Sequence, residues 1–262
     1  DVSTQANLFR KQVNAPLIFG ALTGGTGLAM KINENLAYVA QSLGLAMMVG
    51  SQRIAIEFPE TAKSFTIVRE VAPNIPIVAN IGIPQIVNSD AAVVENIIKM
   101  IDADALAIHL NPLQELIQAE GQSAFSRGLE RIVEIRDSVD VPILVKETGA
   151  GLSQELAKNL ITRGIRYFDV AGFGGTNFAR IESLRKKSST TFDDWGIPTA
   201  ASVIEVDSVR SSTTKVIASG GLRTGVDFLK SMMLGADYFS LAQPLLNPAI
   251  EGKKPLKSKV ES

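Results

Sequence analysis

Eight short apolar runs, rich in β-branched and aromatic residues, alternate with segments of helical spacing along the chain. The runs lie at positions 16–22, 46–50, 76–82, 105–110, 142–146, 167–171, 215–219 and 238–242. Strands that alternate with helices pair in parallel through crossover connections, and eight such units in about 230 residues have the size of a closed barrel. The pattern therefore predicts an α/β fold, a (β/α)₈ or TIM barrel, with a doubly wound open sheet as the alternative.

The composition suits a protein with a large hydrophobic core. With 262 residues, 45% hydrophobic content and a formal net charge of -1, the chain has no electrostatic reason to bind nucleic acid. It has no cysteine, which excludes disulfides, thiolate metal sites and a catalytic thiol. No apolar run approaches the ~20 residues that cross a bilayer. We therefore expect a cytoplasmic protein with no nucleic-acid or membrane partner.

The chain shows no linker rich in Pro, Gly or Ser, so we expect residues 1–262 to form a single domain. It begins at Asp1, without an initiator methionine. The final segment, 253–262, is polar, and we expect it to be loosely held.

A glycine-rich turn, Ser219 to Gly225, closes one apolar run and opens a helical pattern. Glycines allow close approach of a ligand to the backbone, the first N–H groups of a helix favour negative charge, and Arg223 adds a forked donor. The next run ends at Ala242, before Gln243. Two successive strand ends near the C-terminus commonly hold a phosphate in (β/α)₈ barrels, so we expect an anion site here.

Polar residues follow most of the other predicted strands. They are Thr23-Gly24-Gly25, Ser51-Gln52-Arg53, Asn80, His109-Leu110-Asn111-Pro112, Lys146-Glu147 and Gly172-Phe173-Gly174-Gly175-Thr176-Asn177. Active sites of this fold gather at the carboxyl ends of the strands, so these groups are expected to line one cavity. Because the set is rich in donors and poor in carboxylates, it suits an anionic ligand.

Several of these residues also have an ordinary interpretation. A lysine after a buried strand, such as Lys146, is compatible with simple solvation, although burial without an anion would be costly. A lone histidine such as His109 is more often structural than catalytic. His109 and Asn111 are two positions apart, which in an extended strand puts both side chains on one face.

Eight segments together carry a resemblance to a known family. They are Leu22-Thr23-Gly24-Gly25, Gly50-Ser51-Gln52-Arg53, Val78 to Gly82, His109-Leu110-Asn111-Pro112-Leu113-Gln114-Glu115, Val145-Lys146-Glu147, Gly174-Gly175-Thr176-Asn177 with Asp194 to Thr199, and Ser219 to Arg223. In order and spacing the chain resembles the type 2 isopentenyl-diphosphate isomerases over nearly its whole length. The runs 109–115 and 50–53 are specific to that family, whereas 219–223 is shared by many FMN-binding barrels.

The resemblance implies an FMN-dependent interconversion of isopentenyl diphosphate and dimethylallyl diphosphate, a step of isoprenoid biosynthesis. It implies Mg²⁺ as a second cofactor, NADPH as the reductant that primes the flavin, and a homotetramer or homooctamer. Where the motifs match, the resemblance implies that FMN contacts Ala21, Leu22, Thr23, Ser51, Asn80, Lys146, Ala171 and Thr176. It places Gly221, Leu222, Arg223, Ala242 and Gln243 around the FMN phosphate. Lys146 would stabilise the anionic reduced flavin.

The same carry-over places Ser51, Gln52, Arg53 and Gln114 at the substrate and Glu115 on Mg²⁺. The resemblance implies catalytic roles for His109, Asn111, Gln114 and Glu182. Without it, Glu115 and Glu182 would be ordinary helix charges. Gln114 is a neutral amide and a poor acid or base, so orienting a water or the substrate is its more plausible task.

The chain departs from the family pattern in two respects. Family members usually start earlier, with a basic element that reaches the diphosphate, and continue beyond the eighth strand, so we expect N-terminal and C-terminal segments to be missing. Phe178 stands where the family commonly has tryptophan. The alternatives are another FMN-dependent barrel oxidoreductase and a flavin-binding or phosphate-binding barrel without catalysis. A 2-hydroxy-acid oxidase needs a histidine base after the seventh-strand region, and no histidine follows position 109.

Overall fold

A computed structural model describes residues 3–119, 121, 125–187 and 191–262. Two short strands come first, β1 (Ala6–Leu8) and β2 (Lys11–Val13). The eight strands that follow are β3 (Leu17–Phe19), β4 (Ala46–Met48), β5 (Ile77–Gly82), β6 (Ala105–His109), β7 (Ile143–Lys146), β8 (Tyr167–Asp169), β9 (Lys215–Ala218) and β10 (Tyr238–Leu241). Each of these eight coincides with one of the predicted apolar runs.

The eight strands form a closed parallel barrel in the order β3 to β10, with β10 paired to β3. The barrel prediction is confirmed, and the open sheet is excluded. Helices connect the strands, as the crossover rule requires. They are α1 (Gly27–Leu43), α2 (Arg53–Glu57), α3 (Lys63–Val71), α4 (Ile83–Val87), α5 (Ala91–Met100), α6 (Pro112–Ile117), α7 (Gly128–Ser138), α8 (Gln154–Thr162), α9 (Phe178–Arg185), α10 (Thr199–Asp207), α11 (Gly225–Met233), α12 (Gln243–Glu251) and α13 (Lys253–Glu261), with a 3₁₀ turn at Pro59–Ala62.

The apolar side chains form two separate cores. The larger lies between the barrel strands and the helices, as expected when strands alternate their side chains between two faces. The smaller fills the barrel interior and continues into the hairpin of β1 and β2, whose Leu8, Phe9 and Val13 are buried. The hydroxyl of Tyr238 donates to the carbonyl of Asn7, which ties the hairpin to the last strand. The hairpin therefore covers the amino ends of the strands and leaves the carboxyl ends open.

The expectation of a loosely held segment at 253–262 is wrong. These residues form α13, in which the Leu256 side chain is fully buried against the larger core. The Lys253 ammonium pairs with Glu34 at 3.1 Å and lies 4.5 Å from the centre of the Tyr38 ring. The apolar residues of this segment are too few to be prominent in the sequence, yet they face α1 and α12. None of the helices in the described ranges combines the length and the hydrophobicity that a membrane crossing requires.

Replacement of the Leu256 side chain tests whether α13 belongs to the folded core. Leu256→Ala removes a fully buried leucine, so we expect the free energy of unfolding to fall by about 2–4 kcal/mol. Urea unfolding followed by circular dichroism measures the change. The matched control is Lys257→Ala on the exposed side of the same helix, which should change stability by less than about 0.5 kcal/mol. Equal, small effects of both substitutions would contradict the packing of α13.

Candidate active site

A cavity of about 1170 Å³ opens at the carboxyl ends of the barrel strands, and every strand end contributes to its wall. Most of the residues that the sequence predicts for the site line this cavity. They are Ala21, Leu22, Ser51, Arg53, Asn80, His109, Asn111, Gln114, Glu115, Lys146, Ala171, Thr176, Gly221, Leu222, Arg223, Ala242 and Gln243. Residues more than 200 positions apart along the chain therefore share one lining.

The structure does not bring the Gln52 side chain to the cavity, which corrects its expected contact with the substrate. Gln52 is fully buried; its Nε2 donates to the Ile97 carbonyl at 3.1 Å, and its Oε1 accepts from the N–H of Asn80 at 3.0 Å. The amide thus links β5 to α5 beneath the site. Thr23 and Glu182 also lie outside the cavity lining.

His109 is held by Asn80 on the neighbouring strand. Asn80 donates its Nδ2 to the Val49 carbonyl at 3.1 Å, so its Oδ1 faces His109 Nδ1 at 2.9 Å. An amide oxygen only accepts, and Nδ1 therefore carries the proton. Burial, together with the nearby charges of Lys146 and Arg53, lowers the pKa of His109 from 6.5 to about 3. The imidazole is neutral at ordinary pH, with the lone pair on Nε2.

Asn111 reaches the cavity for a reason that differs from the expected one. The strand ends at His109, and Asn111 follows it in the left-handed region at φ 47°, so strand alternation does not orient the pair. A chain of hydrogen bonds orients Asn111 instead. Thr148 Oγ1 donates to Asn111 Oδ1 at 2.6 Å, and Asn111 Nδ2 donates to Gln114 Oε1 at 2.8 Å. Gln114 Nε2 approaches Glu182 Oε1 at 3.5 Å, so Glu182 supports Gln114 from α9.

Lys146 is buried at the floor of the cavity, with 7% of its surface exposed, so simple solvation does not describe it. Its Nζ donates to the Glu147 carbonyl, and Asp169 is its register partner on the next strand. Burial raises the pKa of both Glu147 and Asp169, while the Lys146 charge acts in the opposite direction on each. Asp169 accepts hydrogen bonds from Ser219 Oγ and from the N–H of Ala171.

The expected anion site at the start of α11 needs a correction. Asp227 already accepts from the N–H groups of Arg223 and Thr224, both at 3.0 Å, and Thr224 caps the helix in return. The N–H groups and the partial positive charge at the start of α11 are thus already compensated by the Asp227 carboxylate. In the part of the chain that the structure describes, the N–H groups of Gly221 and Leu222 have no acceptor, and both residues line the cavity. These two loop amides, beside Arg223, are donors open to an anion.

The glycine loops that follow β8 and β9 pack backbone against backbone. Gly220 and Gly221 have φ values of 102° and 86°, a region that only glycine adopts easily. A Cβ on Gly221 would collide with the carbonyl of Gly174. Because these glycines have no side chains, the two loops approach each other closely and together form one wall of the cavity.

Glu115 is the candidate metal ligand, and it is 6% exposed at the cavity wall. This burial is unlike that of an ordinary surface acid at a helix start. Across the described ranges, no three His, Asp or Glu side chains gather as they would around a metal held by protein alone. A magnesium ion at Glu115 would therefore share its coordination with ligand oxygens and water.

Comparison with known proteins assigns the chain to a family. A model of the FMN-dependent dehydrogenases matches residues 92–260. The isopentenyl-diphosphate delta-isomerase of Sulfurisphaera tokodaii is 47% identical over 98% of this chain and 72% of its own length, and that of Archaeoglobus fulgidus is 42% identical over 99% and 76%. The chain belongs to the isopentenyl-diphosphate delta-isomerase family. The resemblance inferred from the sequence motifs is confirmed.

Among solved structures, a mandelate oxidase superposes on this isomerase-family chain with a TM-score of 0.70 and 15% sequence identity. The match covers 100% of this chain and 75% of the oxidase. At that identity the likeness shows the fold alone.

Several residues at the cavity of this isomerase-family chain were missed by sequence reasoning. They are Gln85, Gln118, Thr148, Asp169, Ile181 and Ser240. Phe178, noted in the sequence only as a departure from the family pattern, lines the cavity as well. Asp169 had a usable signal, because it is the one charged residue inside the apolar run 167–171. Gln85 and Thr148 had none, because each lies a few residues beyond a strand end in a segment without a motif.

The neutral state of His109 predicts a specific pH dependence of stability. As the pH falls below 6.5, the unfolded chain binds a proton at this histidine while the folded protein does not until about pH 3. His109 therefore contributes stability above pH 6.5 that is lost progressively towards pH 3. Between pH 7 and pH 5 we expect a loss of about 2 kcal/mol from this group, measured by urea unfolding.

The comparison is His109→Asn, which lacks this titration but keeps every other ionisable group. The variant should lose about 2 kcal/mol less than the wild type over the same pH interval. Parallel curves for the two proteins would show that the imidazole is free to protonate in the folded state.

Proposed function

We propose that this chain interconverts isopentenyl diphosphate and dimethylallyl diphosphate with reduced FMN and Mg²⁺, and that NADPH supplies the electrons that prime the flavin. The observation that supports the proposal most is one shared cavity. The cavity is lined by His109, Asn111, Gln114 and Glu115, by Lys146 and by the loop at Gly221, in a chain 47% identical to a protein named isopentenyl-diphosphate delta-isomerase. A barrel that only stores a phosphate has no need of the run from 109 to 115.

The residues present fit FMN. The open N–H groups of Gly221 and Leu222 and the guanidinium of Arg223 suit its phosphate, and glycine loops without side chains leave room for it. Ala21 and Leu22 offer small apolar contacts, while Ser51 and Asn80 offer polar ones. The cavity of about 1170 Å³ exceeds the size usual for drug-sized ligands, so it accommodates a flavin and a small substrate together.

Lys146 would act as the counter-charge of the flavin. When bound and reduced, FMN would supply an electron-rich ring that stabilises positive charge on the alkene as it is protonated. A buried ammonium interacts strongly with a neighbouring anion because little water screens it. Lys146 therefore favours the anionic reduced form.

Arg53 would anchor the diphosphate, with His109 beside it, and Glu115 would hold the Mg²⁺ that neutralises part of the diphosphate charge. The diphosphate does not react, so its binding energy serves to hold the alkene in place. Gln114, whose carboxamide is oriented by Asn111 and Glu182, would position the substrate or a water at the carbon that exchanges a proton.

Phe178 and Ile181 supply the apolar part of the cavity wall. Both lie on α9, above the carboxyl ends of the strands. Their side chains suit a short hydrocarbon group and would limit access of water to the reacting carbon.

The second candidate is an FMN-dependent oxidoreductase, which the match to the dehydrogenase family model favours. Such chemistry needs a base beside the reacting C–H bond, and burial together with nearby positive charges lowers the pKa of the one histidine of the chain to about 3, which makes it a weak base. The proposal also keeps the homotetramer or homooctamer that the resemblance implies. It keeps as well the cytoplasmic location without nucleic-acid or membrane partners that the composition led us to expect.

An isomerisation assay tests the proposed function. With labelled isopentenyl diphosphate, FMN, Mg²⁺ and NADPH under anaerobic conditions, we expect labelled dimethylallyl diphosphate to form. NADPH should be consumed only in proportion to flavin, because the reaction has no net redox change. Omission of the reductant is the control and should abolish turnover. Consumption of NADPH in proportion to product would instead identify an oxidoreductase, and no product would leave only ligand binding.

A substitution at Lys146 tests its place beside the flavin. Lys146→Ala removes a buried positive charge, so we expect the FMN reduction potential to fall by about 30 mV or more, equivalent to roughly 1.4 kcal/mol for two electrons. Spectroelectrochemical titration of the bound flavin measures it. Lys63→Ala, on an exposed pair with Glu70, is the control. An unchanged potential in Lys146→Ala would remove this lysine from the flavin site.

A further inference from the structure

Gln85 is a cavity residue to which neither the sequence motifs nor the proposed chemistry gives a task. It lies on α4, the short helix that begins immediately after β5 ends at Gly82. Its neighbours Ile83 and Ile86 are buried in the apolar core, whereas Gln85 contributes to the cavity wall. The helix therefore turns its one polar side chain towards the ligand space.

The Gln85 carboxamide is not satisfied by the protein. Its Nε2 is the one buried side-chain nitrogen or oxygen without a hydrogen-bond partner in the described part of the chain. A buried donor without an acceptor destabilises the folded state, and native proteins rarely keep one. A methionine of similar size would fill the same space without that cost, so the amide is a candidate for a functional group.

Gln85 and His109 share the space above Gly82. A Cβ on Gly82 would collide with both the Gln85 Oε1 and the His109 Nε2, so the glycine makes room for the two polar groups together. His109 donates through Nδ1 to Asn80, which leaves Nε2 as an acceptor. The terminal torsion of a glutamine is soft and roughly two-fold, so a half-turn exchanges its oxygen and nitrogen. That half-turn places the Gln85 Nε2 beside the lone pair of His109 Nε2, so that one N–H can donate to the imidazole and the other is left for a ligand.

The position of Gln85 around the barrel indicates which part of a bound ligand it would face. In the strand order, β5 lies between β4, which leads to Arg53, and β6, which ends in His109. Arg53 and His109 are the residues assigned to the diphosphate in the proposed function. Gln85 follows the strand between them.

We propose that Gln85 is a further substrate-positioning residue, which turns its carboxamide to donate a hydrogen bond to a diphosphate oxygen beside His109. The inference rests on the proposed function for the identity of the ligand. An amide is suited to this task because it donates without adding charge, and a hydrogen bond to an anionic acceptor is stronger than one to a neutral acceptor. In the orientation that the structure records the amide nitrogen is unpaired, and the half-turn gives its two N–H groups His109 and the diphosphate as acceptors.

The test compares Gln85→Met with the wild type in two measurements on the FMN-loaded protein. Calorimetric titration with inorganic pyrophosphate and Mg²⁺ should show affinity weakened by about tenfold, because a hydrogen bond to a charged oxygen is lost. Thermal unfolding without pyrophosphate should show a midpoint raised by about 2–4 °C, because a buried unpaired donor is removed. The control Gln154→Met, on an exposed glutamine at the start of α8, should change neither quantity in this way.

Gln85→Glu provides a second variant of nearly the same shape. The carboxylate replaces the donor with a negative charge, so pyrophosphate binding should be weaker than in Gln85→Met, while the affinity for FMN stays within about twofold of the wild type. If either variant loses stability and binds pyrophosphate as the wild type does, Gln85 is structural and the inference is overturned. Loss of FMN affinity with unchanged pyrophosphate affinity overturns it as well.

Pyrophosphate binding does not depend on turnover, so the two proposals fail separately. A wild-type protein that binds pyrophosphate through Gln85 but forms no dimethylallyl diphosphate would contradict the proposed function alone. A protein that isomerises its substrate with unchanged KM in Gln85→Met would contradict the role of Gln85 alone.

Discussion

The pairing of β10 with β3 is the interaction on which the rest of the structure depends. Leu241 pairs with Phe19, and Phe239 pairs with Leu17, so the last strand of the sheet is hydrogen-bonded to the first. This closure removes both sheet edges and arranges eight carboxyl ends in one ring. Only in that ring do the loops after β3, β7 and β9 face a common space. Without closure the same motifs would be spread along the edge of an open sheet.

The ring of strand ends concentrates buried polar groups that a protein core normally avoids. Most of these groups satisfy one another. Asn80 joins Val49 to His109, Asn111 joins Thr148 to Gln114, and Asp169 holds Ser219. Such a network fixes the orientation of each side chain before a ligand arrives, which is the condition for electrostatic stabilisation without reorganisation.

The sequence allowed the barrel strands to be predicted because each is a short apolar run bounded by turn residues. The hairpin of β1 and β2 was missed because its strands, Ala6–Leu8 and Lys11–Val13, mix polar with apolar residues and form no apolar run. The helix α13 was missed because only one of its residues, Leu256, is fully buried, and one leucine does not produce a helical hydrophobic pattern. In the site, residues at strand ends were predicted from position and from the family resemblance. The burial of Gln52 and the cap at Asp227 were not, because hydrogen bonds between distant segments leave no periodic signal.

The proposed function depends on loops from both halves of the barrel holding a single flavin beside Lys146. The most direct measurement is a crystal structure of the protein soaked with FMN and inorganic pyrophosphate. The account predicts the FMN phosphate at the N–H groups of Gly221 and Leu222, the ring beside Lys146, and pyrophosphate between Arg53 and His109. Flavin density at any other place on the molecule, or Lys146 turned away from the ring, would contradict it.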